Sequence, residues 1–85
     1  MAGKCGIVAS RHGIGVIVNL PRGAGIRTVP LSSRGATAEE VTEKLVGQLK
    51  INGKLYVRED NETPRVVKAS DIISEHACYY FYPLP

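Results

Sequence analysis

Thr37-Ala38-Glu39-Glu40-Val41-Thr42-Glu43-Lys44-Leu45-Val46-Gly47-Gln48-Leu49 is the stretch that decides the fold. Thr37 and Glu40 have the spacing of a capping box: the Thr37 hydroxyl accepts from the Glu40 amide while the Glu40 carboxylate reaches back to Thr37. Two acids in the first turn suit the positive end of the helix dipole. Behind them Val41, Leu45 and Leu49 recur every four residues, with Ala38 and Val46 beside them, so one stripe is apolar. Gly47 weakens the helix by about 1 kcal/mol relative to alanine. Asn52-Gly53 tolerate left-handed geometry and are expected to close it. A single amphipathic helix needs a second layer, and the flanking sequence supplies strands.

Upstream, Val16-Ile17-Val18-Asn19-Leu20 is β-branched and apolar, a strand. Pro21-Arg22-Gly23-Ala24-Gly25 has turn residues at nearly every position. Ile26-Arg27-Thr28-Val29-Pro30-Leu31 then predicts a second strand, with Arg27, Val29 and Leu31 on one face and Ile26, Thr28 and Pro30 on the other. Pro30 cannot donate to a ladder, which places this strand at a sheet edge. Together the two strands read as a hairpin. Residues 1–15, with glycine at 3, 6, 13 and 15, read either as a loose N-terminal arm or as an extra short strand at Gly6-Ile7-Val8-Ala9.

Downstream, Lys54-Leu55-Tyr56-Val57-Arg58 alternates as a strand with Leu55 and Val57 inward. Glu59-Asp60-Asn61-Glu62 is a polar turn, and Pro64-Arg65-Val66-Val67-Lys68 a short strand that its proline sends to an edge. Ser70-Asp71-Ile72-Ile73-Ser74 has the composition of one helical turn capped by Ser70. Cys78-Tyr79-Tyr80-Phe81-Tyr82 is apolar at both parities and predicts an interior strand buried on both faces. The order is therefore strand, strand, helix, strand, strand, short helix, strand. One helix on a mixed sheet makes an α+β domain, with residues 16–85 as its body.

At 85 residues, 44% hydrophobic and 22% charged, the chain has the size and composition of one small globular domain. So little core argues against a self-contained enzyme with a deep pocket and for a binding module. The net charge of +3 hides a polarity: residues 1–38 hold Lys4, Arg11, Arg22, Arg27 and Arg34 with no acid, a charge of +5, and residues 39–85 sum to −2. A basic half invites an acidic partner. Nucleic acid is not the expected one, because residues 1–38 contain no Phe, Tyr or Trp to stack on bases.

No apolar run approaches the roughly 20 residues that span a bilayer. Cys5 and Cys78 form no disulfide framework, and His12 and His76 are too scattered to add zinc spacing, so two free thiols in a reducing cytoplasm are expected. Arg11-His12-Gly13-Ile14-Gly15 lacks the helix that a phosphate loop needs. His76, beside Glu75 and near Cys78, lacks partners for nucleophilic catalysis. No catalytic residue, metal or cofactor is expected.

The segments Gly25 to Leu31, Ala36-Thr37-Ala38-Glu39-Glu40-Val41, Leu45 to Ile51, and Lys68-Ala69-Ser70-Asp71 through Glu75-His76 into an aromatic strand resemble those of the ubiquitin-like (β-grasp) superfamily, most closely Ras-association domains. The resemblance covers roughly Gly15 to Leu84. It implies a β-grasp roll, a mixed sheet packed on one amphipathic helix, and a non-enzymatic role in signal transduction. Its partner would be a GTP-bound small GTPase of the Ras family, paired edge to edge with the second strand. The matching positions are Arg27 and Thr28 on that strand and Arg34 before the helix, with Arg22 in the turn and Lys44 on the helix as further contacts. Other ubiquitin-like domains, of the PB1 and CIDE-N kind, associate head to tail with copies of themselves. Arg58-Glu59-Asp60-Asn61-Glu62 sits where their acidic cluster lies, which makes self-association the alternative.

Overall fold

Gly13–Asn19 forms the strand on which everything else is registered. In the computed structural model, which describes residues 5–60 and 62–84, the chain folds as β1 (Ile7–Ser10), β2 (Gly13–Asn19), β3 (Ile26–Leu31), α1 (Ala38–Leu49), β4 (Gly53–Glu59), β5 (Arg65–Val66) and β6 (Ala77–Pro83). The six strands make one mixed sheet, and α1 packs across one of its faces. β3 runs antiparallel along one edge of β2, from Ile14 opposite Leu31 to Asn19 opposite Ile26. The other edge of β2 is shared. β1 takes its first half in an antiparallel hairpin, and β6 takes Val18 and Asn19 in parallel. β4 pairs antiparallel with β6 over seven residues, and β5 closes the far side.

The extra-strand reading of residues 1–15 is therefore the one that forms, with residues 1–4 outside the described chain. Gly6 and Gly13 bracket β1 with φ of 110° and 118°, angles that a side chain would disfavour. At the point where β1 hands over to β6, Ile17 donates its amide to the Gly6 carbonyl at 3.0 Å. There Cys5 and Cys78 meet in a disulfide, and no free cysteine is left. This corrects the expectation of free thiols. Separated by 73 residues, the two carry no local signal of pairing; strand order alone brings them together. Free thiols therefore no longer point to the cytoplasm, since lasting disulfides belong to oxidising surroundings.

Val16, Val18, Val29, Leu31, Leu55, Val57, Tyr79 and Phe81 face α1 and meet Ala38, Val41 and Leu45 in one core. Burying a side chain the size of Val41 or Leu45 is worth about 1.5–3 kcal/mol. The helix starts as expected on Thr37, whose hydroxyl accepts from the Glu40 amide at 3.4 Å. The reciprocal half of the box does not form. The Glu40 carboxylate instead accepts from the Ser32 amide at 2.9 Å, the Ser32 hydroxyl at 2.8 Å and Lys44 Nζ at 3.1 Å. Those donors, the Ser32 amide first, hold its pKa below the ordinary glutamate value.

At the other end Lys50, not Asn52-Gly53, turns left-handed (φ 58°) and donates its amide to the Val46 carbonyl at 2.8 Å. Glycine adopts this geometry without steric cost. Lys50→Gly is expected to raise stability by about 0.5–1 kcal/mol in urea unfolding, and a loss of stability would contradict this account of the cap.

No helix forms at Ser70–Ser74. The segment crosses the start of α1 instead, where the first amides of a helix lack partners. The Asp71 carbonyl accepts from the Ala38 amide at 2.7 Å, the Ala69 carbonyl accepts from Glu39 at 3.1 Å, and Ile73 donates to the Ala36 carbonyl at 3.0 Å. Asp71 also folds its own turn, accepting from the Lys68 amide at 3.1 Å and Arg65 Nη1 at 3.4 Å. The Lys68 amide is the main reason its carboxyl lies below the usual range. Asn61, in the polar turn before β5, is outside the described residues; around it Glu62 donates to the Glu59 carbonyl at 2.9 Å.

β6 is central, yet it is not buried on both faces. Ala77, Tyr79 and Phe81 point into the core, whereas Cys78 and Tyr80 are half-buried and Tyr82 is exposed. Among the described residues no helix covers the opposite face of the sheet, on which Ile17 and Asn19 are buried and Tyr82 and Val66 are exposed.

Candidate protein-interaction edge

β3 is an outer strand, and its ladder fixes which backbone groups remain free. In an antiparallel pair, residues alternate between exchanging hydrogen bonds and pointing them away. The Leu20 amide donates to the Gly25 carbonyl at 2.8 Å, just beyond the Asn19–Ile26 pair. Asn19–Ile26 is accordingly a pair that does not exchange bonds, and so are Ile17–Thr28 and Gly15–Pro30. Ile26, Thr28 and Pro30 thus aim their backbone groups out of the sheet. Pro30 stands where its missing N–H costs the ladder nothing, which is the condition for proline inside a strand. Its carbonyl accepts from Lys44 Nζ at 2.7 Å. The amides and carbonyls of Ile26 and Thr28 remain along the edge.

The side chains alternate across it. Val29 and Leu31 are buried under α1, and Arg27 shares their face at the open end, where its Nη1 donates to Gln48 Oε1 at 3.3 Å. Lys44, bridging Pro30 and Glu40, lies on the same seam between β3 and α1. Thr28 faces the other way and lies over Gly15, where a Cβ would come within 2.8 Å of its methyl. At the hairpin tip the Ala24 amide donates to the Pro21 carbonyl at 3.1 Å around Arg22 and Gly23, both with positive φ. That is the turn whose twist matches paired strands, normally built from Gly, Asn or Asp. Arg22 therefore holds an unfavoured conformation at an exposed tip.

The five residues expected to meet a partner do not form one cluster. Arg27 and Lys44 flank the edge on the helix side, Thr28 on the other, and Arg22 ends the hairpin. Arg34 lies beyond the far end of β3 in an ion pair with Glu75, so its charge is matched within the chain. Gln48 and Ser32, which orient Arg27 and Glu40, carry no motif of their own. Helical phase could have found Gln48, four residues beyond Lys44 on the flank facing β3, whereas Ser32, in the loop after β3, has no such signal.

Among the described residues no helix is long and apolar enough to cross a membrane, and no three His, Cys, Asp or Glu side chains gather as a metal site requires. Compared with known proteins, the chain matches no family model, and neither a curated protein nor a solved structure is similar enough to count as a relative.

Proposed function

We propose that the chain is a non-enzymatic ubiquitin-like domain that binds a GTP-loaded small GTPase of the Ras family by adding its β3 edge to the partner's sheet. The β-grasp reading is supported by the strand order β3-β2-β6-β4-β5, with the last strand parallel to the first strand of the β2–β3 hairpin at the centre of the sheet and α1 joining β3 to β4. The observation that carries the binding mode is the free β3 edge, with the backbone groups of Ile26 and Thr28 turned outward and arginines at 22 and 27 beside them. Backbone pairing supplies the contact in such an arrangement, while charge sets encounter rate and partner choice. Each exposed ion pair contributes only ~0–1 kcal/mol, so reversal of charge has more effect than its removal.

Titration of labelled domain against several small GTPases in both nucleotide states tests this. Binding is expected to the GTP-bound form alone, and Arg22→Glu with Arg27→Glu is expected to abolish it without lowering the melting temperature by more than a few degrees. Equal affinity for both nucleotide states, or an unchanged affinity in the double variant, would remove the edge from consideration. Concentration-dependent sedimentation that collapses at high salt would favour head-to-tail self-association instead.

A further inference from the structure

The basic N-terminal half of the chain, residues 1–38, carries no aromatic side chain to stack on a base. Folding brings the aromatics of the other half to a basic surface of their own. On the sheet face turned away from α1, the register places Tyr56 beside Tyr80, Lys54 beside Tyr82 and Arg58 beside Cys78. Val66 lies across from Tyr56, and Asn19 across from Tyr80. Tyr56 and Tyr82 stand edge to face with ring centroids 5.3 Å apart. Arg58 is fixed across this surface: Nε and Nη2 donate to the Tyr80 hydroxyl at 3.4 and 3.3 Å, and Nη1 donates to the Asp60 carbonyl at 2.9 Å. Tyr82 remains 46% exposed, with Val66 at 45% and Ile26 at 43%. Arg22, at the hairpin tip, lines one cleft with Tyr82, Pro83 and Leu84. Among the described residues whose side chains the register assigns to this face, Lys54 and Arg58 are basic and none is acidic.

From this arrangement we infer that the open face binds single-stranded nucleic acid, with unstacked bases on Tyr82, Tyr80 and Tyr56 and phosphates on Lys54, Arg58 and Arg22. Two chemistries converge on that ligand. The two charged side chains that the register puts on this face, Lys54 and Arg58, are both basic, so it complements a polyanion. Tyr82 is exposed and Tyr56 and Tyr80 are half-buried, and such rings offer planar surface to any base whatever its sequence. An open sheet presenting aromatics from neighbouring central strands has the geometry for stacking successive bases. The Tyr80 hydroxyl is already taken by Arg58, so its ring is held in place before any ligand arrives. This surface shares Arg22 with the β3 edge, but its tyrosines lie on β4 and β6, on the far side of β2 from that edge.

The test is fluorescence anisotropy with a short labelled single-stranded oligouridine, the matching oligothymidine, a duplex of equal length and an acidic peptide of equal charge. Saturable micromolar binding to the single strands is expected, with weaker binding to the duplex and the peptide. Tyr82→Leu keeps bulk at a half-exposed position but removes the ring, and is expected to weaken binding about tenfold, within the range for loss of one stacked base. Tyr82→Phe keeps the ring and is expected to bind as the parent does. With about three phosphates neutralised, affinity is expected to fall roughly twentyfold between about 50 and 200 mM salt, and Lys54→Gln is expected to make that dependence shallower. No saturation at low salt would overturn the proposal. So would equal binding of the duplex or the peptide, or a loss caused by Lys54→Gln but not by Tyr82→Leu.

Discussion

Reducing the Cys5–Cys78 disulfide is expected to lower the free energy of unfolding by about 4 kcal/mol, the chain-entropy value for a cross-link closing a loop of this length. The bond joins residues 73 apart, so it restrains nearly the whole unfolded chain. A domain of this size has roughly 5–10 kcal/mol of stability in total, so the loss would take a large share of it. In thermal unfolding each kcal/mol corresponds to roughly 4–8 °C for a domain of this length, giving a drop of about 20 °C or more. Cys5→Ser is expected to reproduce the reduced state, and reductant should then shift that variant no further. Coincident melts for the oxidised and reduced protein would show that the bond constrains little, or that β1 frays from β2 without consequence for the rest. Both outcomes bear on the proposed partner, because a GTPase-binding domain in a reducing compartment must fold as the dithiol.

The disulfide also marks a boundary of what could be read from the chain. Short-range patterns were legible: the Thr37 cap, the four-residue apolar spacing behind it, and the two prolines that place β3 and β5 at edges. Strand parity was legible as well, since Arg27 does share a face with Val29 and Leu31. Features set by the meeting of distant segments were not. Ser70-Asp71 has the composition of a helix start, but the carbonyls there serve the amides of α1, and a turn rather than a helix delivers them. The aromatic strand looked buried at both parities because no periodicity says that only one layer will cover the sheet. The candidate edge was foreseen as a strand carrying Arg27 and Thr28. Its neighbours Gln48 and Lys44 come from helical phase, and the pairing of Arg34 with Glu75 spans 41 residues.

Gly53→Ala is expected to cost about 3 kcal/mol, at the upper end for added bulk in a packed core. Gly53 opens β4 opposite Pro83, and a Cβ there would lie 2.3 Å from Phe81 Cζ and 2.8 Å from both adjacent ring carbons. Its φ lies outside the left-handed region, so the conflict is one of space and not of backbone conformation. Phe81 cannot easily give way: its side chain is fully buried among Leu45, Leu55 and the rest of the core. Shortening the ring should relieve what the new methyl creates. Phe81→Leu alone leaves a void and destabilises by about 1–3 kcal/mol, but combined with Gly53→Ala the methyl fills part of that void. The two changes are therefore expected to fall short of additivity by about 1–2 kcal/mol in a double-mutant cycle read by urea unfolding. Additive losses would mean that the ring is not what excludes a side chain at 53, and that β4 enters the sheet at a different distance from β6. The glycine matters beyond its own contacts. Where α1 ends at Leu49 and β4 begins at Gly53, three residues carry the chain from one layer to the other. The Asn52 carbonyl accepts from the Leu84 amide at 2.9 Å at this joint. Pushing β4 away from β6 here would strain that bond and separate Lys54 from Tyr82. Oligouridine binding by Gly53→Ala is accordingly expected to weaken together with its stability.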